Sequence, residues 1–140
     1  MPIELDPVSD VPLYQQLRDG IVAEIASGHL RAGDRLGAVR RVAESFRINP
    51  ATVAKAYDLL QREGLITINR KSGSVVARDL RSGRPSEDFA GPWKEKVQGL
   101  LLEALAQGMS LEEASAELRS ALDGLRARLS SENELRGESE

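Results

Sequence analysis

The sequence has no cysteine, a single histidine (His29), and only one Trp, two Tyr and two Phe among 140 residues. Without cysteine there is no disulfide framework, no thiolate zinc site and no cysteine nucleophile. One histidine excludes a multi-histidine metal cluster. So few aromatics require an aliphatic core. No apolar run approaches the roughly 20 residues that span a bilayer. The opening Met1-Pro2-Ile3-Glu4 has neither the basic flank nor the apolar stretch of a signal peptide. No nucleophile or paired acid–base residues can be assembled into a pocket. These absences lead us to expect a soluble cytoplasmic protein that is not an enzyme, needs no cofactor and has no membrane partner.

What is present is the profile of a globular chain, 41% hydrophobic and 29% charged, long enough for one small domain with an appendage. The net charge of −3 hides an asymmetry. Residues 1–84 carry 13 basic against 10 acidic side chains, whereas residues 85–140 carry 6 against 12. Within residues 31–78, ten cations from Arg31 to Arg78 face only Asp34, Glu44, Asp58 and Glu63. A basic block beside an acidic one suggests that the first half meets a polyanion. Composition alone fits a solvated surface equally well.

Periodicity predicts five helices and one hairpin. Asp10-Val11-Pro12 reads as a helix start with Asp10 as N-cap and Pro12 in the first turn. Leu13, Leu17, Ile21 and Ile25 follow at four-residue steps, and Gly28 ends the helix. After the turn 31–35, Leu36 returns to the core, and a short helix from about Ala38 to Ser45 buries Val39, Val42 and Ala43. Arg47-Ile48 allows only a tight turn. Asn49-Pro50 restarts the helix as N-cap and N1, with Val53, Ala56, Tyr57 and Leu60 inward and Gly64 as the stop. Residues 65–69 and 74–78 read as two strands joined by a basic turn, Arg70-Lys71-Ser72-Gly73.

Residues 79–91 read as a polar linker. A helix lined by Trp93, Val97, Leu100, Leu101, Ala104 and Leu105 then runs to about Gly108. Ser110-Leu111-Glu112-Glu113 is a capping box opening a last helix, whose Leu111, Ala114, Leu118, Leu122, Leu125 and Leu129 come close to a heptad. Residues 130–140 read by composition as a disordered acidic tail.

Two short helices joined by a three-residue turn and followed by a basic hairpin have the order of a winged helix-turn-helix. The second helix suits the major groove of duplex DNA, with its first turn at the base edges and the hairpin tip beside the backbone. It would expose Asn49, Ala51, Thr52 and Lys55. Arg40 and Arg41 open the helix before it, and Arg70 and Lys71 sit at the wing tip.

These segments carry a family resemblance. Pro12-Leu13-Tyr14-Gln15-Gln16-Leu17 and Ser27-Gly28-His29-Leu30-Arg31-Ala32-Gly33-Asp34-Arg35-Leu36 resemble the opening of GntR-family bacterial transcriptional regulators. The block Ile48-Asn49-Pro50-Ala51-Thr52-Val53-Ala54-Lys55-Ala56-Tyr57, then Glu63-Gly64-Leu65-Ile66 and the wing glycine Gly73, continue the resemblance. The short helical remainder is similar to the YtrA-type subfamily, in which two helices replace a large effector domain and serve to dimerise. The resemblance implies a mainly α fold with a small β-hairpin: a winged helix-turn-helix over 10–78, a linker over 79–91, a dimerisation segment over 92–129 and a tail over 130–140. It further implies contacts to double-stranded DNA through Arg40, Arg41, Asn49, Ala51, Thr52, Lys55, Arg70, Lys71 and Gly73. The resulting expectation is a homodimeric repressor on an inverted-repeat operator, with room for a small-molecule effector whose identity the sequence does not carry. The alternative is a winged-helix protein-interaction module. Against the family pattern, Gly37-Ala38 stands where Pro-Ser is usual, Lys71 where Gly is common, and a basic residue common near Ala54 is missing.

Each residue has an ordinary reading too. Arg40 and Lys71 could be merely solvated, Thr52 could pack against the first helix, and Asn49 is a cap before it is a contact. His29 reads as a surface or capping histidine. Trp93 fits either an aromatic ligand pocket or a dimer core. Trp93, Val97 and Leu101 on one helix, with Leu118, Leu122 and Leu125 on the next, are the expected dimer seam. Two leucine-rich helices appended to a domain with its own core cannot bury their faces alone. Glu112, Glu113 and Glu117 suit a helix start and a solvated face better than a metal site.

Overall fold

The computed structural model describes residues 2–69 and 73–138, with side-chain surroundings through residue 132. The chain divides into two compact units, Met1–Gly83 and Arg84–Glu140.

The first unit is built on three helices, α1 (Leu13–Ala26), α2 (Val39–Phe46) and α3 (Pro50–Arg62), followed by β1 (Ile66–Asn69) and β2 (Gly73–Val76). The four-residue apolar step of α1 buries Leu17, Ile21 and Ile25 against Val53, Ala56, Tyr57 and Leu60 of α3, with Val42 and Ala43 of α2 closing the core. At about 1.5–3 kcal/mol for each large aliphatic side chain removed from water, this cluster is the main source of the unit's stability. Asn49 caps α3 by accepting a hydrogen bond from the Ala51 N–H at 2.8 Å, and Pro50 occupies the first helical position. Gly64, at φ +78°, ends the helix in the left-handed conformation that suits glycine. The strands pair antiparallel, Ile66 opposite Val76 and Asn69 opposite Gly73.

The structure corrects the expected start of α1. Asp10 is not its cap: Pro12 is extended (ψ 146°), and its carbonyl accepts from the N–H groups of Gln15 and Gln16, both at 3.0 Å. The residues ahead of it form an arm. Ile3 is buried on α1, and a Cβ at Gly20 would lie 2.6 Å from its Cγ2. The Gln16 side chain holds this arm by accepting from the Asp6 N–H (2.7 Å) and donating to the Asp6 and Val11 carbonyls (2.9 and 2.7 Å). The turn 31–35 also does more than return the chain. Leu36 N–H donates to the Ser74 carbonyl at 2.9 Å and Val76 N–H to the Asp34 carbonyl at 2.9 Å, so residues 34–36 line the edge of the hairpin.

In the second unit, α4 (Glu87–Ala106) and α5 (Leu111–Glu138) form a helical hairpin that turns at Gly108. Two expectations change here. Residues 87–91, read as linker, are helical: Ser86 is extended at the N-cap, and Glu87 and Asp88 match the positive end of the helix dipole. Residues 130–138, read as disordered, continue α5. Extending an existing helix needs no new nucleus, so even a serine- and glutamate-rich segment can follow it. No helix among the described residues is long and apolar enough to cross a membrane.

Candidate nucleic-acid interface

α2 packs on α3, and their first turns carry most of the residues that the sequence puts forward. Arg40 and Arg41 are exposed in the first turn of α2, and neither makes an ion pair or a side-chain hydrogen bond among the described residues. No side chain caps that turn, because the N-cap position is Ala38. The alanine forgoes about 1 kcal/mol of capping that Ser would supply. Gly37 does not replace the cap; it makes room, since a Cβ there would fall 2.7 Å from Val42 Cγ2.

The start of α2 is tied to α3 by a buried phenol. Tyr57 is 1% exposed, and its hydroxyl donates to the Gly37 carbonyl at 2.7 Å. Burial pushes this phenol up from 10.0 to about 12. A folded pKa above the unfolded one contributes stability below pH 10 that is lost as pH rises through 12. Tyr57→Phe is therefore expected to lower stability by about 1 kcal/mol at neutral pH, through the lost hydrogen bond. The same variant is expected to remove the part of the alkaline destabilisation that Tyr57 causes. Urea melts of both proteins at pH 7 and pH 11 check it.

On α3, Asn49 and Ala51 are exposed and Thr52 is half-buried. Lys55 is exposed, and its ammonium lies 3.9 Å from the centroid of the Tyr14 ring on α1, a cation–π contact that restrains the side chain. Gly73 opens β2 at φ +73°. Arg70 and Lys71, the expected wing-tip cations, lie outside the described residues.

Glu63, at the end of α3, accepts from both Nε (2.9 Å) and a terminal nitrogen of Arg18, while Arg18 Nη1 lies 2.8 Å from Asp19 Oδ1. Hydrogen bonding to Glu63 raises the guanidinium above its ordinary pKa and stitches α1 to α3. The Asp79 carboxylate accepts from the Ala32 and Arg81 N–H groups at 2.9 and 2.8 Å, which hold it below the usual carboxylate range. His29 Nδ1 sits 2.9 Å from Ser27 Oγ and 3.3 Å from Glu24 Oε2, a local cluster closing α1. Among the described residues no group of three His, Asp or Glu could hold a metal. Glu112 and Glu113 lie in the first turn of α5, where Glu113 N–H donates to Ser110 Oγ at 3.0 Å.

Sequence reasoning took Arg47 as plain turn. Its backbone is left-handed (φ 57°, ψ 47°), the only non-glycine residue so placed among those described.

In the second unit the expected seam residues are not buried within one chain. Trp93, Leu118, Leu122 and Leu125 are each about half exposed (52, 46, 55 and 49%), Val97 and Leu101 are half-buried, and Ala114 is the one buried hydrophobic residue described there. Leu101, Leu111, Leu118 and Leu122, with Arg119 and Arg126 beside them, line an open groove of about 480 Å³.

Comparison with known proteins agrees with this architecture. Residues 13–76 match the family model described as bacterial regulatory proteins, gntR family. The chain is 33% identical over 110 residues to the HTH-type transcriptional repressor YtrA of Bacillus subtilis (strain 168), covering 79% of this chain and 84% of that protein. YtrA from Sulfolobus acidocaldarius, a GntR-family transcription factor of known structure, is 31% identical with a TM-score of 0.61. That match covers 76% of this chain and 99% of the other. A transcriptional antiterminator from Listeria monocytogenes EGD-e shares the fold, with a TM-score of 0.77 at 23% identity, over 86% of this chain and 90% of its own. The winged helix-turn-helix, the matched segment and a 33%-identical repressor matched over most of both chains together place this chain in the GntR family of bacterial regulators, as a DNA-binding transcriptional regulator and not an enzyme.

Proposed function

We propose that the protein is a repressor that binds an inverted-repeat operator as a homodimer. The observation that carries the reading is the pairing of two unsatisfied surfaces on one chain. One is the exposed Arg40 and Arg41, without a side-chain partner among the described residues, with the capped start of α3; the other is the half-exposed leucine row of α5. In this reading Arg40 meets a base edge, Arg41, Asn49 and the wing cations meet phosphates, and Ala51, Thr52 and Lys55 face the groove. Trp93, Val97, Leu101, Leu118, Leu122 and Leu125 form the seam with the second copy, seated along the groove between α4 and α5. Occupying an operator that overlaps a promoter excludes polymerase, and the 33%-identical YtrA of Bacillus subtilis is named a repressor.

Footprinting on the promoter of its own operon tests the whole reading. The expected result is a protected inverted repeat whose half-site centres lie about 34 Å or a simple multiple apart. Transcription from that promoter in vitro should fall as the protein is added. Protection of a single half-site at saturation, or transcription that rises, would contradict the dimer or the repression respectively.

A further inference from the structure

We infer that Arg47, in the turn between α2 and α3, is a phosphate anchor for the DNA that this helix pair binds. The inference rests on the DNA-binding reading of α2 and α3 and adds a contact that helix periodicity does not reveal.

The argument starts from backbone conformation. Every other left-handed position described in the chain is a glycine: Gly28, Gly33, Gly64, Gly73, Gly83 and Gly108. Arg47 is the exception, at φ 57° and ψ 47°. An L residue with a Cβ is disfavoured there, so an arginine in place of glycine calls for a compensating use of its side chain.

None of the internal uses is present. The side chain is exposed and makes no ion pair or hydrogen bond among the described residues, although Glu44 stands only three positions earlier. Helix electrostatics do not account for it either. A cation is favoured at the end of α2, but Arg47 also lies two residues before the Asn49 cap, where the positive end of α3 disfavours it. The remaining use is external. The turn joins the two elements whose first turns carry Arg40, Arg41, Asn49 and Ala51, so a long, permanently charged donor is held beside the surface already read as meeting DNA. A residue in the turn reads no base by helix placement. The partner group its chemistry fits is the phosphodiester oxygen.

The test compares wild type, Arg47→Gly, Arg47→Asn and Arg47→Lys on the operator and on random duplex of equal length, each across a range of salt. Gly relieves the left-handed strain while freeing the unfolded chain, and Asn tolerates the same conformation, so melting temperatures are expected not to fall appreciably. Losing one phosphate contact should flatten the dependence of log affinity on log salt by about 0.9 per bound protomer. At 0.1 M salt that corresponds to roughly eightfold weaker binding per protomer. Both neutral variants should show this loss equally on operator and random DNA, and Arg47→Lys should restore most of it. Wild-type affinity and slope in Arg47→Gly and Arg47→Asn would overturn the assignment while leaving the DNA-binding reading intact. So would a loss confined to the operator. A wild-type protein without salt-dependent duplex binding would overturn the DNA-binding reading and this inference with it.

Discussion

Leu122→Asp is expected to turn a dimer into monomers and to weaken operator binding by two orders of magnitude or more, while leaving the first unit folded. Leu122 is 55% exposed in the single chain and is flanked on its face by Leu118 and Leu125, each about half exposed. Ala114 alone is buried among the described residues of that unit, so most of the apolar surface described on α4 and α5 is exposed or only half-buried. A second copy would cover it, and an aspartate in the seam would be desolvated without a partner, at a cost of several kcal/mol. Separated protomers bind one half-site at a time and forfeit the effective concentration that links the two, a factor of about 10²–10⁴. The winged helix keeps its own core of Leu17, Ile21, Val53, Tyr57, Leu60 and Ile66, so its melting transition should persist. Sedimentation and gel shift on the same sample check the outcome. A variant that stays dimeric, or a monomeric wild type that binds tightly at micromolar concentration, would remove the seam from the mechanism.

The residues that place this surface were legible because each acts through local chemistry. Asn49-Pro50 is a cap followed by a residue that needs no N–H partner, and it caps α3 in the structure as in the sequence. Leu17, Ile21 and Ile25, and Val53, Ala56, Tyr57 and Leu60, repeat at helical spacing and are all buried. What escaped depends on partners distant in sequence. No side chain caps α1 in place of Asp10; the Gln16 amide instead binds residues 6 and 11, which lie far from it in sequence. The alternation of Ile3 and Leu5 was the available signal for that arm, since both pack on the core. Residues 34–36 form a sheet edge because β2 lies beside them, and nothing local to Asp34-Arg35-Leu36 announces a strand. The helical state of residues 130–138 is inherited from the long helix before them, which composition scored window by window does not register. The left-handed Arg47 was hidden for the opposite reason: the sequence has the wrong residue type for that conformation.

Arg40→Ala is expected to weaken operator binding by about 1–3 kcal/mol per half-site, roughly 5- to 150-fold, and to relax preference at one base pair. The side chain is exposed at the second position of α2 and has no partner among the described residues, so its removal should leave the melting temperature unchanged. The guanidinium presents a planar fork of donors that matches the O6 and N7 acceptors of guanine, and its charge needs no neighbour to remain fixed. Arg41, its exposed neighbour, serves as the internal control. It points about 100° away around the helix and is read as a backbone contact, so Arg41→Ala should weaken operator and random duplex alike. Arg40→Lys keeps the charge but loses the fork, and should recover binding to random DNA without recovering the base preference. Competition binding against operators carrying each of the four base pairs at every half-site position measures this directly. If Arg40→Ala lost the same amount on every competitor and on random DNA, Arg40 would be a phosphate contact. Sequence reading would then fall to the start of α3, where Asn49, Ala51 and Thr52 offer one strong hydrogen-bonding amide, one methyl and one half-buried hydroxyl.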